Sequence, residues 1–344
     1  MTEKQQQKYN NPVSATLTGI RDLFRKQIPA GTLNPTDRLD DKTVLVDGAS
    51  SGLGFAVATD LARRGAKVIM ACRSGIPEKG ERVKKLSGNT DIHMLPVDFS
   101  DIDSIRELVK QIKTKFAPLD ILVCNAGIVP KQSRKTKQGL EEMFMVNYFS
   151  KFIFVNLLLE SRCFNQAEPA FPDSEIENRK SKIVPPRIIF VASESHRNPE
   201  KFQWEEFGLY KDYKIGKSIE LYGYYKLLLT TFSCELSRRL NPDGETRFEI
   251  FSLCPGPVNS NIAREAPKIF IPLLKLVFGI FFKSPAKAAI PVVYLAASHD
   301  FDGMAFDYLF LMSRKTIDEK ASDPENGRQL WKLSEGLQEK LQAV

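Results

Sequence analysis

Tyr222 and Lys226 lie four residues apart in LYGYYKLLLTTFSCELSRRL, a stretch whose apolar spacing predicts a helix. Residues at i and i+4 of a helix share one face. An ammonium beside a phenol favours the phenolate and draws the tyrosine pKa down from about 10. A tyrosine so placed is a usable general acid and base. That is the proton chemistry a carbonyl reduction needs while a hydride arrives at carbon. Tyr224 and Tyr225 adjoin it, and neither has a lysine at +4. A second constellation is Gly48-Ala49-Ser50-Ser51-Gly52-Leu53-Gly54, which opens directly into FAVATDLARRG, a run with helical spacing. Glycines there permit a tight turn and let backbone approach a pyrophosphate. The helix start adds unpaired N–H groups and the positive end of its dipole.

These residues need a scaffold, and the surrounding text supplies one. TVLVDG reads as a buried parallel strand ahead of the glycine turn. KVIMACR, DIHMLPVDFSD, DILVCNAG, RIIFVAS and FEIFSLCPG read as further strands. ERVKKL, SIRELVKQIKTKF and LEEMFMVNYFSKFIFVNLLLE read as the helices between them, the last as one long helix. PAKAAIPVVYLAA and AFDYLF read as a final helix and short strand. Strand and helix in alternation predict an α/β, three-layer Rossmann fold. Its core is a doubly wound parallel sheet of about seven strands flanked by helices. Residues 1–40 read as a polar, basic N-terminal extension and 41–344 as a single domain. Two segments break the regularity: a polar, proline-rich insertion at 161–186, and a long connection at 194–220. Long connections at this end of such sheets tend to be functional.

The GxxxGxG spacing, with the tyrosine–lysine pair far downstream, resembles the short-chain dehydrogenase/reductase family. The family's usual turn is TGxxxGxG. Here Asp47 stands where the threonine would be, which predicts altered local hydrogen bonding without loss of cofactor binding. The resemblance implies an NAD(P)(H) cofactor held by Gly48, Ser50, Ser51, Gly52, Leu53 and Gly54. It also implies an adenine contact at Asp98-Phe99 and the family NAG motif at Asn125, Ala126 and Gly127. Pro255-Gly256-Pro257-Val258 resembles the family segment against the nicotinamide, with Ser260 in place of a threonine. Arg73, at the end of the second strand, occupies the position facing the adenosine ribose. An arginine there suits the 2′-phosphate of NADP, where an acidic residue would suit NAD, so NADP(H) is expected over NAD(H). Tyr222 and Lys226 would contact cofactor as well as substrate.

The same resemblance implies the rest of a catalytic set. Ser193 matches the serine that hydrogen-bonds the substrate oxygen, with Ser195 as an alternate two residues on. Asn147 matches an asparagine that holds a water linking the lysine to solvent, and its bland alternative is a helix-bending core amide. LDDKTVLVDGASSGLG, VIMACRS, FQWEEFGLYKDYK and GRQLWKLSEGL resemble the branch containing retinol dehydrogenases, related aldehyde reductases and protochlorophyllide reductases. That branch implies an apolar carbonyl or alcohol substrate such as a retinal, a lipid aldehyde or a steroid ketone. Two departures stand out. The 161–186 insertion is foreign to the pattern, and Tyr225 occupies the place of the YxxSK serine, where it would reshape the pocket wall. Residues 264–285 fall where the family builds its substrate lid.

Composition narrows the field. The apolar share of 42% and charged share of 26% are ordinary for a globular chain. The formal charge of +7 comes without a long Lys/Arg run interleaved with aromatics, so nucleic acid is not an expected partner. The five cysteines, Cys72, Cys124, Cys163, Cys234 and Cys254, form no CxxC pair, which argues for a reducing compartment. With only His93, His196 and His299, no metal centre is expected. MTEKQQQKYNNP has no apolar core of a secretory signal. IFIPLLKLVFGIFF, interrupted by Pro272 and Lys275, is shorter than the about 20 residues of a membrane span. A cytoplasmic location follows as the expectation, with peripheral contact on the cytosolic face of a membrane left open, as is a homodimer. Two rival readings remain: an NADP(H)-binding regulatory protein with little turnover, and a membrane-surface lipid-binding module.

Overall fold

The computed structural model describes residues 28–165, 184–256 and 284–342. Within them the chain runs β1 (Thr43–Asp47), α1 (Gly52–Arg63), β2 (Lys67–Cys72), α2 (Glu78–Ser87), β3 (Ile92–Pro96), α3 (Ile102–Lys115) and β4 (Ile121–Cys124). It continues through α4 (Glu142–Glu160), β5 (Arg187–Val191), α5 (Ile215–Leu240), β6 (Glu249–Cys254), α6 (Pro285–Ala297), β7 (Phe306–Phe310), β8 (Ser313–Arg314) and α7 (Pro324–Gln342). The sheet order is β3-β2-β1-β4-β5-β6-β7-β8. All pairings are parallel except the last. The sheet has eight strands where about seven were expected. Leu311, at φ +58°, turns the chain back, and two residues pair antiparallel with the end of β7.

The two faces of the sheet are packed separately, and strand periodicity decides which side chain goes where. Leu45, Ile69, Leu122, Ile188 and Phe190 join one core, with α3, α4, α5 and α7. Val44, Val46, Val68, Met70, Ile121, Val123 and Ile189 join the other, with α1 and α6. Helix α4 is apolar all round and carries a mean hydropathy of 1.3, enough by length and composition for a membrane span. Yet 78% of that stretch is buried inside the fold, which makes it a core helix.

Helix α4 also departs from the regular helix expected. Met145–Phe149 form a π-helical turn between two α-helical parts, Glu142–Phe144 and Ser150–Glu160. Such turns insert a residue into the helical ladder and gather at functional sites. Asn147 lies in this turn.

The segment ahead of β1 is tied to the domain from residue 30 onward. Ala30 N–H donates to Met312 O at 2.6 Å and Leu39 N–H to Arg64 O at 2.8 Å. Arg64 Nη1 donates to the carbonyls of Asn34 and Asp37. The core of the 161–186 insertion, most of the 264–285 lid, and Pro257, Val258 and Ser260 lie outside the described residues. At the opposite end of the sheet from the glycine turn, Arg187 is 5% exposed. It pairs with Glu249 at 2.5 Å and with Asp302. Its Nη1 donates to Leu295 O, Ala296 O and Ser298 O at the end of α6.

Candidate active site

The order β3-β2-β1-β4-β5-β6 reverses direction between β1 and β4, and ligands of such sheets bind outside the strand ends at that switch point. The glycine turn leaves β1 there. Gly48 adopts φ +63°, and a Cβ on it would meet Ala126 Cα at 2.9 Å. No other residue type suits both the backbone and the space. Leu53 and Gly54 are buried in the first turn of α1. Ser51 precedes that helix without a side-chain capping bond, which leaves the leading N–H groups open to an anion. Beside it lies a cleft of about 290 Å³ lined by Ser50, Ser51, Gly52, Phe55, Ser74, Gly75, Lys79 and Arg82. Serine hydroxyls, helix N–H groups and two cations are the donor set a dinucleotide phosphate requires, so the residues present fit the expected cofactor.

The end of β4 is held from two sides. Asp47 Oδ1 accepts the N–H of Asn125 at 2.5 Å and that of Ala126, while Asn125 Nδ2 donates to Asp47 O at 2.9 Å. A carboxylate accepting backbone N–H groups is the altered bonding that replacement of the threonine implies. Further along, the Asn147 amide clasps Ile128. Its Oδ1 accepts Ile128 N–H at 2.8 Å and its Nδ2 donates to Ile128 O at 2.9 Å. A Cβ on Gly127 would lie 3.3 Å from Asn147 Oδ1 and 3.8 Å from Lys226 Nζ. The asparagine and the lysine therefore converge on the same glycine.

At the end of β5, Ser193 Oγ accepts Ser195 Oγ–H at 2.9 Å and Ser195 N–H at 3.3 Å. Helix α5 brings Tyr222 against this turn, where Tyr222 and Ser193 share a hydrogen bond. Gly223 makes the approach possible, because a Cβ there would stand 2.9 Å from Ser195 O. Lys226 is 3% exposed and its Nζ donates to Val191 O at 2.7 Å, 5.7 Å from the centre of the Tyr222 ring. Burial, with the Lys151 charge second, pushes the Lys226 pKa down to about 8. The Tyr222 phenol departs from the lowered pKa expected of it. Burial pushes it up, the Cys254 thiol adds to this, and the Ser193 hydrogen bond only partly offsets it. Desolvation of a phenolate outweighs an ammonium that is turned toward a backbone carbonyl.

His196 follows in the same turn. It is fully buried, its Nδ1 lies 2.6 Å from Ser193 O, and burial, aided by the Arg197 charge, pushes its pKa down from 6.5 to about 4. Between those two values the unfolded chain binds a proton that the folded one does not, so stability falls as pH drops through this window. The loss expected by pH 4 is on the order of 3 kcal/mol. Urea titrations from pH 7 to pH 4 should show it, and His196→Phe should flatten the slope. An unchanged slope would remove His196 from the acid sensitivity.

The sequence-predicted residues thus divide. Ser50, Ser51 and Gly52 line the cleft, and Arg73 stands 69% exposed at its edge, 3.9 Å from Asp98. Phe99 is corrected: its ring is 6% exposed, packed against Phe154 and beneath Lys151, and it does not line the cleft. Pro255 is buried and Gly256 follows it at the end of β6, whereas Val258 lies outside the described residues. Tyr225 is 4% exposed, stacked edge-on to Phe144 and hydrogen-bonded to Glu141, which also accepts from Tyr213 at 2.8 Å. It is a core residue under the helix. Lys79 and Arg82 were missed, although a basic pair at i and i+3 just after β2 is a readable signal.

The comparisons agree with this geometry. The family model described as short chain dehydrogenase matches residues 42–167. Human retinol dehydrogenase 14 is 30% identical over 311 residues, covering 86% of this chain and 85% of its own. Mouse retinol dehydrogenase 14 is 32% identical over 308 residues, with the same coverage. Human retinol dehydrogenase 13 is 29% identical over 344 residues, 96% of this chain and 95% of its own. Among solved structures, an uncharacterized protein from Mycobacterium paratuberculosis superposes with a TM-score of 0.63 at 26% identity, covering 91% and 98% of the two chains. A short-chain dehydrogenase/reductase from Serratia marcescens shares the fold at a TM-score of 0.56 and 23% identity, covering 83% and 99%. The cleft, the ordered set from Asn147 to Lys226 and these relatives converge: the chain belongs to the short-chain dehydrogenase/reductase family of NAD(P)-dependent oxidoreductases.

Proposed function

We propose that the protein is an NADP(H)-dependent oxidoreductase of apolar carbonyls or alcohols, with Tyr222 as proton donor and acceptor and Ser193, Lys226 and Asn147 in support. The observation that carries it is the hydrogen bond between Tyr222 and Ser193 at the end of β5, beside the phosphate-binding turn. When bound, the nicotinamide supplies or accepts the hydride. Ser193, steadied by Ser195, orients the substrate oxygen. Tyr222 gives its hydroxyl proton to that oxygen during reduction and takes it back during oxidation. Lys226, as an ammonium, offsets the charge left on the phenolate. Asn147 holds the Ile128 backbone beside Lys226 and is the candidate for the water relay.

Preference for NADP(H) is supported by the cationic corner formed by Arg73, Lys79 and Arg82, with Ser74 at its base. A 2′-phosphate would meet charge-assisted donors there, and the lining carries no carboxylate. Fluorescence titration should show NADPH binding about ten-fold tighter than NADH. Arg82→Ala should remove about 1–2 kcal/mol of NADPH binding and leave NADH nearly unchanged. Equal affinities in the wild type would overturn the preference. The apolar substrate is supported by the retinol dehydrogenases among the relatives and by the composition of 264–285. Retinal, medium-chain aldehydes, steroid ketones and quinones form the test panel. Cofactor binding without turnover on any of them would favour the regulatory reading, for which the raised Tyr222 phenol and Asp47 speak.

A further inference from the structure

Position 47 carries a carboxylate at the heart of the cofactor turn, and Asp47 is fully buried. Its Oδ1 serves Asn125 and Ala126. Its Oδ2 faces Lys151 Nζ at 2.8 Å, and the two side chains are 0% and 1% exposed. Neither of those two atoms has a further hydrogen-bond partner among the described residues. The Lys151 ammonium also lies 4.0 Å from the centre of the Phe99 ring, a contact that favours a cation. A charge buried without its partner is strongly unfavourable, so each of these residues is tolerable only in the presence of the other.

The pair connects elements that the cofactor cleft depends on. Lys151 sits on α4 four residues after Asn147, just beyond the π turn. Asn147 holds the far end of the segment 125–128 through Ile128. Asp47 holds its near end, and Ala126 in turn packs on the Gly48 turn so closely that no Cβ fits between them. The path runs from Lys151 through Asp47 and the Asn125–Ala126 backbone to Gly48.

We propose that Asp47 and Lys151 act as one coupled unit that shapes the cofactor cleft, and that Lys151 is a positioning residue for cofactor binding although it does not reach the cleft. The proposal rests on the NAD(P) reading of that cleft. The pair's charges also act in opposite senses on Lys226, Lys151 lowering its pKa and Asp47 raising it, so loss of either would disturb the catalytic lysine.

The test is a double-mutant cycle on the full chain with Asp47→Thr, Lys151→Met and the double variant. NADPH affinity is read by fluorescence titration, and thermal unfolding is read without cofactor. Each single variant should weaken NADPH binding by about ten-fold or more, and the double variant should return to within about three-fold of the wild type. Lys151→Arg, which keeps the charge, should bind like the wild type. Losses that simply multiply in the double variant overturn the coupling. Equal NADPH affinity in all variants with only the unfolding temperature altered makes the pair a structural brace and overturns the positioning role. If a single variant does not accumulate as folded protein, recovery of binding in the double variant supports the proposal. A folded double variant about ten-fold weaker than the wild type then overturns it. A wild type that binds neither NADPH nor NADH instead refutes the cofactor reading itself.

Discussion

Tyr222→Phe should lower turnover by about 10²–10⁴-fold while NADPH binding stays within about two-fold of the wild type. The substitution removes one oxygen and keeps the ring, so packing of α5 against the Ser193 turn survives. What disappears is the only proton-carrying group on α5 that is hydrogen-bonded to Ser193 among the described residues. Because burial raises the Tyr222 pKa, the phenol is protonated through neutral pH. Reduction, which consumes that proton, should run without added base, and alcohol oxidation, which needs the phenolate, should climb with pH. Initial rates in both directions, measured alongside cofactor titrations, check both statements. A variant that keeps a tenth or more of wild-type turnover would remove Tyr222 from the proton transfer.

Arg187→Met should destabilise the fold by about 3–5 kcal/mol and leave the site chemistry intact. The guanidinium holds Glu249, Asp302 and three carbonyls at the end of α6, tying two adjacent strands to the helix above them. Burial already pushes the Glu249 carboxyl up, with Arg187 acting against it. Removing the cation strands a fully buried carboxylate that keeps only the Gly303 N–H at 2.6 Å. Urea denaturation gives the loss directly. Arg187 opens β5 whereas Ser193 follows its other end, so NADPH affinity measured well below the transition should be unchanged. A change below about 1 kcal/mol would mean that water reaches Glu249 in solution.

Much of this architecture is written in local patterns. Continuous apolar runs such as TVLV and ILVC mark strands covered on both faces, and the turn between β1 and α1 carries its glycines at fixed spacing. The order Asn147, Ser193, Tyr222, Lys226 was legible because each residue sits at a strand or helix position that the alternation defines. What escaped depends on distance in space. Nothing near Lys151 in the chain announces that its partner is Asp47, more than a hundred residues away, nor that the ring of Phe99 would turn into the core to support it. The Tyr222 phenol was misjudged for the same reason: the lysine at +4 is visible in the sequence, and the carbonyl of Val191 that engages it is not. Strand β8 is two residues long, too short to leave a period.

The wide turn in α4 makes chain length itself informative. Successive residues of an α-helix rotate by about 100°, and the turn at 145–149 absorbs one residue beyond that count. Loss of a single codon there would allow an unbroken α-helix and would spin everything from Ser150 onward by about 100° relative to Glu142. Lys151 would leave Asp47, and Phe152 and Phe154 would leave their places in the core. The gene should therefore accept many conservative exchanges of side chain along α4 but no change in the number of residues. In comparisons of distant relatives, the register between Asn147 and Lys151 is the safer anchor than the identity of either.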